Sequence, residues 1–240
     1  MSEITNQVGT SITALMREFN IITHNMANIS TVGYKRVCNS FSKAIDGTTP
    51  SDSTGTVDLT SAFDFSQGNI TDTGRPLDFA LMGDGFFVIE TTKGPVYTRN
   101  GMFMTNADGR IVDTNGRSVS GEDGPITLPP TMSLSEVHVS SDGSISANGA
   151  LIGKFRIVDF NDKEAELLPA GGSCFEAPKD IRPGLAENIV VKQGYLEASN
   201  VKMVDELVDM IMVQRLYEAN MKFITAQKET SGSLISLAMG

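Results

Sequence analysis

Apolar residues follow two different periods along this chain. Near the start, Val8, Leu15, Ile22 and Ile29 are seven apart, and Ile12, Phe19 and Met26 interleave with them at spacings of three and four. That is an a/d seam over about three heptads, and it predicts an amphipathic helix. Nothing near it in sequence offers a matching helical face, so the seam asks for a partner helix. The plainer alternative is a helix packed on its own domain. The far end of the chain also reads as helix. Ser199 and Asn200 are good N-cap residues, and Asp205, Glu206 and Asp209 sit towards the positive end of the dipole. Val204, Leu207, Val208 and Ile211 share one face, while Met212, Val213, Leu216 and Phe223 lie on the other sides. A helix apolar nearly all round must be covered on several sides, by a large core or by neighbouring subunits.

Between the two ends the period changes to two. Short strands are predicted at Phe86–Glu90, Val96–Arg99, Arg110–Asp113, Val137–Ser140, Ser144–Ala147 and Phe155–Phe160. Asp84-Gly85, Asn100-Gly101, Asp108-Gly109, Asn115-Gly116, Asp142-Gly143 and Asn148-Gly149 separate them. Such pairs supply the positive φ of tight hairpins at little steric cost. The stretch from Asp46 to Ser61, rich in Ser, Thr, Asp and Gly, reads as a linker or extended arm.

Charge sharpens this division. The 240 residues carry a net charge of −10. Residues 1–45 are net +2 and residues 199–240 net −1, so the acidity belongs to the middle. An acidic chain of this kind argues against sequence-independent nucleic-acid binding, which needs Lys and Arg on phosphates. Apolar runs such as Met210–Val213 are far too short to span a bilayer. Arg17, Glu18 and Asn20 interrupt the one candidate for a signal-peptide core, so a cleaved signal is not expected. Cys38 and Cys174 make no disulfide framework and are expected to remain unbridged.

Catalytic patterns come close and fail. Gly83-Asp84-Gly85 lacks the third glycine of a dinucleotide fingerprint and precedes a strand. Gly116-Arg117-Ser118-Val119-Ser120 misses the last glycine of a nucleophile elbow. Met104 stands where a calcium loop around Asn106, Asp108 and Gly109 needs its first ligand. His24 and His138 have no second histidine near them in sequence. Carboxylate pairs such as Glu122 and Asp123 leave one enzymatic alternative, a β-domain enzyme acting on cell-wall glycan.

Three segments carry a resemblance. His24-Asn25-Met26-Ala27-Asn28-Ile29-Ser30-Thr31-Val32-Gly33-Tyr34-Lys35 resembles the signature that ends the N-terminal helix of flagellar rod and hook proteins. Gly83-Asp84-Gly85-Phe86-Phe87-Val88-Ile89, then Tyr97-Thr98-Arg99-Asn100-Gly101-Met102-Phe103 and Asn106-Ala107-Asp108-Gly109, is similar to the core of their β domain. Gly194-Tyr195-Leu196-Glu197-Ala198-Ser199-Asn200-Val201, running on to Gln214-Arg215-Leu216-Tyr217-Glu218-Ala219-Asn220, resembles the start and body of their C-terminal helix. The matches come in family order. Within the family, the length and the short stretch 36–76 resemble the proximal-rod FlgF type more than the distal-rod FlgG type or the hook protein.

The resemblance implies a structural, non-enzymatic subunit of the basal-body rod without cofactors. It implies export through the flagellar type III apparatus, assembly with itself and other axial proteins, and no nucleic acid or membrane insertion. The expected fold is α+β: terminal helices forming a coiled-coil core, with a central all-β domain. The expected divisions are residues 1–35, helix; 36–76, linker; 77–193, β-rich outer domain; and 194–240, helix. The expected assembly interface comprises Val8, Ile12, Leu15, Phe19, Ile22, Asn25, Met26, Asn28, Thr31 and Gly33 at one end. At the other it comprises Val204, Leu207, Val208, Ile211, Gln214, Arg215, Tyr217, Glu218 and Asn220. Asn25 and Asn28, one turn apart, are expected to bond backbone or neighbouring chains. Thr31 and Gly33 suit a helix exit, and Lys35 and Arg36 a helix's negative end. Arg215 and Glu218 are expected in an intersubunit polar contact, the alternative being a solvated i,i+3 pair.

Overall fold

The computed structural model describes residues 2–42, 58–129, 132–161, 163–186 and 189–239. Most of the predicted linker Asp46–Ser61 lies outside these residues. The chain divides into two compact units. One comprises Met1–Ala27, Val37–Ala62 and Lys202–Gly240; the other comprises Asn28–Arg36 and Phe63–Val201.

The second unit is a β-rich body. Its main sheet has six strands in the order Leu168–Gly171, Cys174–Glu176, Gly94–Thr98, Phe86–Thr91, Ile157–Asp159 and Gly184–Leu185. The central pair is an antiparallel hairpin in which Phe87 faces Thr98, Val88 faces Tyr97 and Ile89 faces Val96. The run Phe86-Phe87-Val88-Ile89 has no polar alternation, and the sheet explains why. Phe87 and Ile89 join one apolar cluster with Phe79, Phe103, Ile111, Ile145 and Phe155. Phe86 and Val88 join another with Tyr97, Val158, Phe160 and Phe175. A strand covered on both faces has no solvent side to make polar. Within the clusters most ring pairs meet edge-on, as the ring quadrupole favours: Phe87 lies 5.2 Å from Phe103 at 78°, and Tyr97 lies 4.9 Å from Phe160 at 86°.

The predicted strands appear close to their expected positions, with Ser144–Ala147 reproduced residue for residue. The predicted turns divide into two kinds. Gly109, Gly116, Gly143 and Gly149 have φ between +78° and +85°, as tight turns require. Gly101 has no positive φ; there the missing side chain matters, because a Cβ would lie 1.9 Å from the Phe79 carbonyl oxygen.

The first unit contains two helices, α1 (Ser2–Ala27) and α2 (Met203–Met239), and a two-stranded sheet of Val37–Ser42 and Asp58–Phe63. Here the expectation of a coiled-coil core is corrected. Among the described residues there is one N-terminal α-helix, one C-terminal α-helix and a large β-rich body, and the body holds the two apolar clusters. The α+β class fits in part. Along the predicted seam Ile22 is buried, but Val8, Ile12, Leu15 and Met26 are half-buried and Phe19 is exposed. On α2 the apolar residues are spread around the helix rather than gathered in a stripe, so it offers no narrow seam to mesh with α1.

Candidate assembly interface

Two features stand out: a buried polar junction in the β-rich body and an uncovered apolar surface in the helical unit.

The junction draws on all three signature segments. Gly33 has φ +66°, and a Cβ on it would stand 2.4 Å from the Asn100 nitrogen. Glycine therefore serves twice here, for conformation and for close approach. The Gly33 N–H donates to the Glu197 carbonyl at 2.8 Å. Next to it, Lys35 is wholly buried. Its ammonium donates to Glu197 Oε1 at 2.8 Å, to the Ser66 carbonyl at 2.7 Å and to the Phe65 carbonyl at 3.2 Å, which uses all three of its protons. Glu197 Oε1 also accepts the Gly68 N–H at 2.9 Å. Arg99, 2 % exposed, donates to the Gly83 carbonyl at 2.8 Å, lies over the Phe86 ring, and brings Nη1 to 3.7 Å from Glu197 Oε2. Burial pushes the Lys35 ammonium below the ordinary lysine range, and Glu197 opposes that push.

Asn200 works beside this cluster. It does not cap α2, which begins at Met203. Its Oδ1 accepts the Arg36 N–H at 2.7 Å, and its Nδ2 donates to the Asp64 carbonyl at 2.8 Å. Lys35 likewise departs from expectation: its charge serves Glu197, not a helix end. The sequence alone does not reveal the role of Lys35, Arg99 and Glu197, although each stands inside a signature segment. The available signal was an ionisable residue set among glycines, aromatics and small residues.

In the helical unit, Asn25 is wholly buried. Its side chain forms a two-point clamp on the backbone of Val37: Oδ1 accepts the Val37 N–H and Nδ2 donates to the Val37 carbonyl, both at 2.9 Å. Nδ2 also approaches Glu206 Oε2 of α2 at 3.4 Å. Asn28 and Thr31 form a local turn in which Thr31 Oγ1 donates to Asn28 Oδ1 at 3.1 Å. Asn39 bonds Glu18 of α1.

Among the described side chains of α2, Glu206 and Val213 are buried. Val204 is 71 % exposed, and Leu207, Val208, Ile211, Met212, Leu216, Met221 and Phe223 are exposed as well. Gln214, Arg215 and Glu218 are exposed; Tyr217 and Asn220 are half-buried. Leu15, Met16, Phe19 and Asn20 of α1 face Val213, Gln214 and Tyr217 across a groove of about 250 Å³. Leu15, Phe19, Gln214 and Tyr217 of the expected interface therefore meet here, whereas Asn28, Thr31 and Gly33 belong to the body. The exposed apolar residues extend over several turns, more than the scattered apolar positions of an ordinary monomer surface.

No His, Cys, Asp and Glu cluster fit for a metal occurs among the described residues. No helix of the described residues is long and apolar enough to cross a membrane. Cys38 and Cys174 form no disulfide.

Residues 80–147 match the family described as flagellar hook protein FlgE/F/G D1 domain, and residues 192–237 match the flagellar basal body rod FlgEFG protein C-terminal family. The chain is 33% identical over 229 residues to the flagellar basal-body rod protein FlgF of Caulobacter vibrioides, covering 92% of this chain and 91% of that protein. It is 32% identical to FlgF of Salmonella typhimurium, covering 88% of each. It is 34% identical to the basal-body rod protein FlgG of Agrobacterium fabrum, covering 95% of each. By these relatives and family matches, the chain belongs to the flagellar basal-body rod protein family.

Proposed function

We propose that the chain joins the rod through the exposed apolar surface of α2 and the groove that α1 and α2 line. As a family member it is a structural subunit of the bacterial flagellar basal body and not an enzyme, so the glycan alternative is dropped. It assembles with other flagellar axial proteins. The observation that carries the finer reading is the exposure of Val204, Val208, Ile211, Met212, Leu216 and Phe223 on one helix. A helix of this kind gains by burial against neighbours, at roughly 25 cal/mol per Å² of apolar surface. A head-to-tail contact that does not close into a ring extends as a helical array. Gln214, Arg215, Glu218 and Asn220 interrupt the apolar surface and supply polar contacts between subunits.

The FlgF subtype is favoured by alignment length. The Caulobacter FlgF match spans 229 residues, whereas the Agrobacterium FlgG match spans 257, more than the 240 of this chain. FlgG relatives therefore carry insertions that this chain lacks. The chain reaches the rod by the flagellar type III apparatus, as the resemblance implies.

Leu216→Asp and Leu15→Asp test the assembly reading. Both variants should be exported at normal levels, be absent from purified hook–basal bodies and leave cells non-motile. Incorporation and motility at wild-type levels in both would sink it.

A further inference from the structure

The buried junction has an unusual charge balance. Two cations, Lys35 and Arg99, meet one carboxylate, Glu197, and all three are 2 % exposed or less. Glu197 Oε2 and Arg99 Nε have no hydrogen-bond partner. Arg99 is thus held to Glu197 by charge across 3.7 Å rather than by a short bond. Removing one member of such a group leaves buried charge uncompensated, a heavier penalty than losing an ordinary hydrogen bond. The three members also come from distant parts of the chain, and Glu197 comes last.

We propose that Lys35, Arg99 and Glu197 form a latch that Glu197 closes. Until residues 194–200 arrive, Lys35 has two carbonyl partners and feels the Asp64 carboxylate without bonding to it, and the segment Asn28–Arg36 does not dock on the body. Glu197 supplies the directly bonded counter-charge. Its carbonyl receives the Gly33 N–H and its Oε1 the Gly68 N–H, while Asn200 takes the Arg36 N–H. The same short stretch therefore brings charge and backbone partners to residues 33–36 and 68 together. The six-stranded sheet does not depend on them; its ladders run between residues 86 and 185. The latch makes docking of an early segment wait for a late one, so the body is completed only when more than four-fifths of the chain is available.

The test is amide hydrogen exchange on the full chain. Glu197→Gln keeps the shape and removes the charge. Its exchange at Gly33, Arg36 and Gly68 should rise about a hundred-fold or more, while the amides of Val88 and Tyr97 stay protected. The double variant Lys35→Met with Glu197→Leu removes the directly bonded pair and leaves Arg99 on the Gly83 carbonyl; it should recover part of that protection, whereas a merely structural bond would give no such rescue. Three results would each overturn the latch. One is wild-type protection at residues 33–36 in Glu197→Gln. Another is loss of protection across the whole sheet, or failure of the variant to fold, which makes Glu197 a general core residue. The last is a double variant no better protected than Glu197→Gln alone.

Discussion

The β-rich body and the helical unit use apolar residues in opposite ways. In the body, Phe79, Phe86, Phe87, Phe103 and Phe155 are all 1 % exposed or less, and the central strand is covered on both faces. In the helical unit, Phe19 and Phe223 are exposed, and α2 buries a single apolar side chain among those described, Val213. Both units are built from one chain of ordinary composition, so composition does not decide which is complete. Arrangement does. The body's strands each find neighbours within the chain; the side chains of α2 do not. The body encloses its aromatic core within the one chain, although Leu151, Leu168 and Leu185 stay exposed on it, whereas the described part of α2 leaves most of its apolar side chains in water.

The contrast can be broken at several points. Phe87→Ala should hit the body hardest, since it opens a cavity between Phe103 and Phe155 and costs about 3–5 kcal/mol in a urea melt. A loss below about 1 kcal/mol would mean that the body is not close-packed there. Gly33→Ala should cost about 1–3 kcal/mol, because it combines a positive φ with a clash on the Asn100 backbone. The loss would show as faster exchange at Arg36. Asn25→Ala should cost about 1–3 kcal/mol in the helical unit by orphaning the Val37 N–H and carbonyl. Exchange at Val37 should rise while Val88 stays protected.

Lys35 gives a smaller, pH-dependent effect. Its folded pKa lies below the unfolded value of 10.5, so the unfolded chain binds more protons between those two points. Stability therefore gains from Lys35 as pH rises through that window, and loses the gain as pH falls through the folded value. The wild type should grow more stable relative to Lys35→Met as pH approaches 10.5. A gap that is flat with pH, or one that moves the other way, would contradict the burial that lowers this pKa. The smallest expected change in monomer stability belongs to Leu216→Asp: within about 0.5 kcal/mol, because the side chain is already in water. A large loss would show that α2 is covered within its own chain.

What the sequence revealed depended on how local each cause was. Strands such as Ser144–Ala147 carry their period within a few residues, and Gly109 or Gly143 carries its turn in one dipeptide. Those features were legible. Phe86–Ile89 was legible as a strand, while its burial on both faces was not, because the second cluster comes from Phe160 and Phe175 far along the chain. The heptad seam was read correctly as a helix and wrongly as half of a coiled-coil core. Spacing within one helix says nothing about whether another presents a matching stripe. Lys35 and Asn200 were given local jobs at helix ends because their partners, Glu197 and Arg36, lie more than 160 residues away. The signature residues were recognisable as a group well before their physical roles were.

The clamp between Asn25 and Val37 sets the angular register of α1. Successive residues turn by about 100° around a helix axis. A slip of one residue would swing the Asn25 amide a quarter of the way round and beyond, and both bonds to Val37 would be lost together. Small rotations are thus opposed by two bonds at once, and large ones leave the amide buried with no partner. The side of α1 that carries Leu15 and Phe19 therefore takes one orientation relative to the strand at Val37, not a range of them. If subunits join through this side of α1, as proposed above, such indexing keeps an error of a few degrees in one subunit from being passed on to the next.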